Sequence, residues 1–425
     1  MTVTQPTALR RHLGVRESIA LGIGGVLGAG IFVLSGIASG RAGPAVIVAF
    51  VLAFAASLLL GFCYAELASQ FPTAGGPYGY ACAVFGAVPG ALVGWAYWGA
   101  WATGSSWVAL GFGNYLHLLI GISPLLGAYG LIIGLVLLNL LGVGISGKVQ
   151  VVIIALEILL LVGFIVLGLP HIHAVNYQPF APNGITGILG AALLGFLSLT
   201  GWDVIVVASE EMDNPRRTIP LAIFTSLAII LVLYTGMLFV ANGILTWQQL
   251  GHSATPISDV SAQVLGPRGP QIVAVITLIA LTATANAFLI VVSRTTFALA
   301  RGGLFPTIFT RLTRQRRVPW LALLLGGAAQ LVMVSVGSIP ALTTATAFLY
   351  LLTFLASLGA VVALRQRGII GAFAMPGYPW TAMLAFLICL GMEATAGAAG
   401  IVPGGIWLII GAVVIFLRRH HLHTA

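Results

Sequence analysis

The chain has 425 residues, 59% apolar by type and only 6% charged, with 18 Lys+Arg against 9 Asp+Glu. Soluble domains carry roughly 25% charged residues, and so few charges cannot cover a water-exposed surface of this size. Soluble enzymes, nucleic-acid binders and disordered chains are therefore excluded, and the apolar content suffices for about twelve bilayer crossings at ~20 residues each.

Breaks in hydropathy at Pro, Gly and charged clusters predict twelve spans. They cover residues 17–39, 44–67, 86–112, 124–143, 148–168, 185–209, 219–243, 269–298, 318–337, 341–364, 379–398 and 401–418. Residues 1–16 hold Arg10 and Arg11 but no small-residue cleavage site after a short apolar core, so span 1 reads as a retained crossing. The connections are short except 169–184, 244–268 and 299–317, which leaves no place for a soluble domain. An even count puts both termini on one side, and the positive-inside rule selects the cytoplasm. Sixteen of the eighteen basic residues then fall at cytoplasmic ends: Arg10, Arg11, Arg16, Lys148, Arg216, Arg217, Arg294, Arg301, Arg311, Arg314, Arg316, Arg317, Arg365, Arg367, Arg418 and Arg419. Only Arg41 and Arg268 fall outside. The net charge of +9 is mostly a topology signal and calls for no nucleic-acid partner.

Span 1 carries Gly22, Gly24, Gly25, Gly28 and Gly30. Glycine costs about 1 kcal/mol relative to alanine inside a helix, so this density has a cause. Close helix packing through the Gly24/Gly28 pair is one reading. An unwound helix offering N–H groups to an anionic group at mid-membrane is the other. A dinucleotide loop is excluded, because no strand precedes the glycines and their spacing is wrong. Span 3 offers Trp95, Tyr97, Trp98, Trp101 and Ser105; Tyr97, Trp101 and Ser105 recur every four residues and share one face. From spacing alone this is a packing stripe or a cavity lining.

Span 6 is interrupted by Ser198, Thr200, Gly201 and Asp203, and a charged connector with Glu210, Glu211, Asn214 and Pro215 follows. Spans 1 and 6 open two possible five-helix halves, and interrupted helices at matching positions of two halves point to a transporter site. Four carboxylates lie in or beside spans: Glu66, Glu157, Asp203 and Glu393. Intramembrane charge is costly and by default functional. A carboxylate taken out of water is held most cheaply with a proton on it, which suits Glu157, in the middle of span 5, to proton carriage. A direct role with a cation and a purely structural hydrogen bond are the alternatives. Asn286, Thr282 and Thr284 of span 8 face the ion region or satisfy neighbouring backbone. Glu393 reads as a packing or oligomer contact. Cys63, Cys82 and Cys389 have no metal or redox spacing, and the His171/His173 and His420/His421/His423 groups lack a scaffolded ligand set. No metal, cofactor or catalytic residue is expected. An enzyme would need a nucleophile–base pair or metal triad at mid-membrane, and no His lies in a central span.

These stretches resemble the amino acid–polyamine–organocation superfamily of permeases. The matching residues are Gly25-Val-Leu-Gly-Ala-Gly-Ile-Phe32, Tyr64-Ala-Glu-Leu-Ala-Ser-Gln-Phe-Pro-Thr-Ala-Gly-Gly-Pro-Tyr78, Gly201-Trp-Asp203 with Glu210-Glu211 and Asn214-Pro215, and Arg294 with Ala298-Leu-Ala-Arg-Gly-Gly-Leu-Phe-Pro306. Spans 9–12 match mainly in hydropathy. The resemblance implies an all-α integral membrane protein of twelve transmembrane helices with a five-plus-five inverted repeat, the LeuT-like fold. Repeat one would cover 17–168 and repeat two 185–364. Helices 1 and 6 would be broken, and two extra peripheral helices at 379–418 would lead into a cytoplasmic tail at 419–425. It implies secondary transport of amino acids across the cytoplasmic membrane by alternating access, with amino acid exchange or export, including cationic amino acid or polyamine antiport, as the alternative. The partners implied are a zwitterionic amino acid, a proton as coupling ion and membrane lipid.

By position, the N–H groups of Gly28, Ala29 and Gly30 would hold the substrate carboxylate. The carbonyls of Val26, Leu197 and Thr200, in the stretch that includes Ser198, would meet its ammonium. Tyr97, Trp101, Ser105 and Phe288 would line the cavity, while Glu66 and Asp203 would be structural or gating contacts. Two departures stand out. Leu197 occupies a place where many relatives carry an aromatic gate, so Trp101 is expected to supply that bulk from span 3. Glu157 stands where proton-coupled relatives often have lysine.

Overall fold

The computed structural model describes residues 14–71, 76–141, 147–207, 212, 214–313 and 318–422. The tail before Gly14, residues 72–75 of the second motif, Glu210-Glu211, Arg314, Arg316, Arg317 and His423 lie outside the described residues.

Each of the twelve apolar stretches is helical over most of its described length, and no β-strand occurs among the described residues. The helices are α1 (Val15–Val26), α2 (Ser35–Ala42), α3 (Val46–Gln70), α4 (Gly76–Phe85), α5 (Ala87–Ile120), α6 (Pro124–Leu140), α7 (Gly147–Gly168), α8 (Gly184–Ser198), α9 (Val204–Val207), α10 (Pro215–Ile244), α11 (Trp247–His252), α12 (Pro256–Leu265), α13 (Gly269–Arg301), α14 (Trp320–Val336), α15 (Ile339–Gln366), α16 (Trp380–Ala394) and α17 (Gly397–Arg418). Proline opens several of them, where its missing N–H costs nothing; Pro124 and Pro256 are examples. Gly121 closes α5 in the left-handed region, its N–H returning to the His117 carbonyl.

The structure departs from the sequence reading in four places. Span 3 is longer than expected, reaching Ile120. A separate helix, α4, precedes it, and the 244–268 connection contains α11 and α12. Finally, α17 begins at Gly397, close behind α16. Among the described residues, six helical stretches are long and apolar enough to cross a bilayer, or seven if α5 and α6, bent by 117°, count as one. The helices α8, α14 and α16 are apolar but shorter. Outward-facing side chains such as Ile185, Val336 and Leu417 are more than two-thirds exposed, a surface suited to lipid and not to water.

The 34-residue α5 is the central post, packed against α13, α15, α6 and α17. Its contact with α17 is a reciprocal pair of hydrogen bonds. Trp95 Nε1 donates to the Trp407 carbonyl at 2.8 Å, and Trp407 Nε1 donates to the Trp95 carbonyl at 3.1 Å. The two indoles stack at 4.7 Å. Glycine permits the approach: a Cβ at Gly99 would lie 2.3 Å from Trp407 Nε1, and one at Gly411 the same distance from Trp95 Cδ1. In lipid the stabilisation comes from packing and hydrogen bonds, not from leaving water. Trp407→Phe should therefore lower thermal stability in detergent by about 1 kcal/mol and Trp407→Ala by about 2–3 kcal/mol. Equal melting of both variants and the parent would remove this contact as a determinant.

Candidate functional site

The glycine-rich stretch does break its helix. The ladder of α1 ends at Val26, and Leu27 turns to extended backbone with its N–H on the Ile23 carbonyl. Gly28 follows at φ +135, a conformation side chains rarely tolerate. The chain then rewinds through a π-helical turn, Gly30–Leu34, into α2. π-Turns inside helices are rare and frequent at functional sites. The second break is its counterpart. After α8 ends at Ser198, residues 199–203 form turns, Gly201 stands at φ +111, and α9 resumes at Val204.

The two breaks touch. A Cβ at Gly25 would lie 2.4 Å from the Gly201 carbonyl oxygen, and one at Gly30 would lie 2.6 Å from Ser198 Cα. Ser198 Oγ donates to the carbonyls of Leu194 (2.8 Å) and Gly30 (3.3 Å). The helix unwinds at Gly28, and the close packing falls on Gly25 and Gly30, which admit the neighbouring backbone, and not on the expected Gly24/Gly28 pair.

Neighbouring helices hold the opened backbone. Tyr234 of α10 donates its hydroxyl to the Val26 carbonyl at 2.9 Å, and Tyr115 of α5 donates to the Phe32 carbonyl at 2.7 Å. Thr200 donates its hydroxyl (2.7 Å) and its N–H (3.2 Å) to the Leu197 carbonyl. Thr284 of α13 is set against Gly28, its Oγ1 bonded to the Ala280 carbonyl, whereas Asn286 accepts from Asn139 at 2.6 Å. Glu157 is buried in α7, which packs against α1 and α10.

Tyr97 and Trp101 of α5 meet beside the second break. Tyr97 donates to Asp203 Oδ2 at 3.0 Å. Trp101 packs edge-on against Phe288 of α13 at 4.6 Å and against Tyr97 at 5.9 Å. Ser105, one turn further, faces α13 with its hydroxyl 3.5 Å from the Ala285 carbonyl. Tyr350 of α15 was not singled out from the sequence, yet it stacks on Tyr97 at 6.2 Å and meets Trp101 edge-on at 5.6 Å. Nothing in the apolar run of span 10 marks that residue. Trp202 Nε1 is buried without a hydrogen-bond partner among the described residues, whereas the hydroxyls of Tyr350 and Tyr64 are set toward Asp203 and Ser357. Buried polar atoms are nearly always bonded, and at the second break Tyr97 and Tyr350 both set their hydroxyls toward Asp203. Trp101→Ala should weaken substrate affinity at least tenfold in a binding assay, since it removes the ring between Tyr97, Tyr350 and Phe288. Unchanged affinity and selectivity would dismiss Trp101 as the source of the bulk that Leu197 lacks.

Glu66 stands apart from this centre. Its fully buried carboxylate receives Arg365 Nε at 2.7 Å and Nη2 at 3.0 Å, and the Met375 N–H at 2.7 Å. Ser69 Oγ bonds the Glu66 carbonyl at 2.8 Å and receives the Phe373 N–H at 3.2 Å. One helix end thus ties down both α15 and the 367–379 connection. Glu393, in α16, has both carboxylate oxygens buried and without a hydrogen-bond partner among the described residues.

The amino acid permease family matches this chain over residues 13–417. The branched-chain amino acid permease BcaP of Bacillus subtilis (strain 168) is 28% identical, over 97% of this chain and 94% of its own length. The methylthioribose transporter of the same organism is 30% identical, over 98% and 95%. Human cationic amino acid transporter 4 is 31% identical over 83% of this chain and 61% of its own length. With matched glycine breaks inside an all-helical, lipid-suited body and a family match across nearly its whole length, the chain belongs to the amino acid permease family, a group of multi-pass membrane proteins within the amino acid–polyamine–organocation superfamily.

Proposed function

We propose that this protein is a secondary active transporter that moves amino acids across the cytoplasmic membrane by alternating access. Twelve spans would form two inverted five-helix repeats, 17–168 and 185–364, followed by two further helices, with both termini in the cytoplasm. The observation that carries the reading is the contact of two helix breaks, at residues 27–28 and 199–203, in the middle of apolar helices. Such breaks expose backbone dipoles where no water is present to match a zwitterion's charges.

In this reading the substrate carboxylate lies on the N–H groups of Gly28, Ala29 and Gly30 at the start of the rewound helix, the favourable end for an anion. The ammonium faces the carbonyls of Val26, Leu197 and Thr200. A carbonyl has two lone pairs, and the Tyr234 bond leaves Val26 with one free. The Leu197 oxygen already accepts twice from Thr200, so an ammonium there displaces the Thr200 hydroxyl. Tyr97, Trp101, Ser105 and Phe288 surround the side chain.

Glu157 is the proposed proton carrier, a buried carboxylate on α7, which packs against α1. Liposome uptake should rise with an inward proton gradient in the parent protein and lose that response in Glu157→Gln. An unaltered pH dependence in the variant would reject the assignment.

A second reading, exchange of cationic amino acids or polyamines, is favoured by Asp203, a buried carboxylate at the second break that accepts from Tyr97, with Tyr350 and Trp101 packed on that tyrosine. Carboxylate and ring faces together attract cations. A thermal-shift screen of the purified protein against all amino acids, common polyamines and methylthioribose separates the readings. Response to leucine, isoleucine or valine supports neutral transport, and response to arginine, lysine or polyamines alone supports the second reading. Silence toward all amino acids and polyamines would overturn both. Uptake with imposed pH or sodium gradients then identifies the coupling ion.

A further inference from the structure

We propose that Gly104 of α5 sets the size of the substrate side chain, and that its end of the site takes a short apolar one, the class of leucine, isoleucine and valine. The inference rests on the amino acid transport reading above and adds to it the residue that measures the side chain.

A glycine inside a helix costs about 1 kcal/mol relative to alanine, and α5 carries six. Five have a neighbour in the space of the missing Cβ. An added Cβ would lie 2.2 Å from Cys82 Sγ at Gly90, 2.6 Å from Leu299 at Gly94 and 2.3 Å from Trp407 at Gly99. At Gly111 it would lie 2.6 Å from Val33, and at Gly113 1.9 Å from the Pro124 carbonyl oxygen. Gly104 is the exception. A Cβ there would lie 3.6 Å from the Phe288 ring and 3.6 Å from the Thr346 methyl, an ordinary van der Waals distance, so packing does not require glycine. Gly104 is buried and follows Trp101 by three residues, which makes the two neighbours on the helix surface. The one α5 glycine without a packing cause therefore stands among the residues assigned to the substrate side chain.

The surroundings select the chemistry. Thr346 directs its hydroxyl to the Leu342 carbonyl at 2.7 Å and to Thr103 Oγ1 at 2.8 Å, so Gly104 faces a methyl and a ring edge. Neither carries charge. Asp203 meets α5 at Tyr97, on the other side of Trp101 and roughly 10 Å of helix rise away from Gly104. Reach fits the same class. Gly28, at the proposed carboxylate site, is set against Thr284, and Gly104 against Phe288. Thr284 and Phe288 are one turn apart on α13, about 6 Å of rise. A branched aliphatic side chain spans that distance, and an extended lysine or arginine chain overshoots it.

The test is uptake of labelled alanine, leucine, phenylalanine and lysine into proteoliposomes of the full chain, read as kcat/KM for each. In the parent leucine should lead and lysine should stay at background. Gly104→Ala, whose methyl fits without displacing Phe288 or Thr346, should melt no lower than the parent. Its leucine-to-alanine ratio should fall at least about tenfold, the scale of one carbon in an apolar pocket. Thr346→Ser keeps the hydroxyl and removes the methyl, and should shift preference the other way, raising phenylalanine relative to leucine. An unchanged leucine-to-alanine ratio in Gly104→Ala overturns the proposal, as do equal losses for all four substrates, which would mean a packing role. Should Gly104→Ala fail to fold, an unchanged ratio in Thr346→Ser overturns it. A parent that carries lysine and not leucine overturns it too. No uptake and no thermal shift with any amino acid would instead overturn the transport reading itself, and this proposal with it.

Discussion

Arg365→Met is expected to lower folding stability in detergent by about 3–5 kcal/mol, the cost of leaving a buried carboxylate without its cation. Glu66 is wholly buried, and with the guanidinium gone the Met375 N–H is the sole remaining donor among its recorded hydrogen bonds. The charge holds α3, α15 and the 367–379 connection in one place, so the loss is larger than for a surface pair, which contributes ~0–1 kcal/mol. The combination Glu66→Gln with Arg365→Met should recover much of the loss, because a neutral amide still accepts from Met375 and no charge remains buried. Thermal unfolding of the four proteins measures this double-mutant cycle. Additive losses, or an Arg365→Met protein melting within ~1 kcal/mol of the parent, would mean that the pair is not coupled.

Gly201→Ala is expected to abolish transport, with uptake falling at least tenfold. At φ +111 an alanine is strained, by about 1–3 kcal/mol. Its Cβ would also lie 2.0 Å from the Gly25 carbonyl oxygen, a backbone atom with no flexible end to give way. The two breaks would have to separate, which disturbs the Gly28–Gly30 N–H groups and the Val26 carbonyl together. Gly134→Ala is the matched control: nothing lies within 4 Å of a Cβ there. Removing glycine from that helix should stabilise it by ~0.5–1 kcal/mol without altering uptake. If Gly201→Ala transports as well as Gly134→Ala, contact between the breaks is not required for function.

Both breaks were legible because glycine at 22, 24, 25, 28 and 30, and small polar residues at 198–201, are expensive inside an apolar helix and therefore conspicuous. What joins them was not. Gly25 against Gly201 is a contact between residues 176 positions apart, and no local spacing encodes it. The four-residue repeat of Tyr97 and Trp101 by itself suits a packing stripe better than a lining, and only the family resemblance turned that face toward a cavity. The contact with Asp203 and Tyr350 decided where that face points. Helix α4 was missed because it is short and begins with a Gly-Pro pair that reads as a turn.

The sequence alone determined that the chain is helical and membrane-suited and where most of its apolar helices lie, and it marked two of them as candidates for interruption. All of these follow from local cost: charges and breaks are expensive in an apolar run wherever the run is placed. Only the tertiary structure decided which face of each helix meets another helix. It brought Tyr234 to Val26, Arg365 to Glu66, Trp407 to Trp95 and Tyr350 to the second break. The physical reason is that lipid is as apolar as a protein core. Hydropathy therefore does not separate a residue that faces acyl chains from one that packs against a partner. Burial of Trp95 and exposure of Trp380 became readable only once the helices were in place.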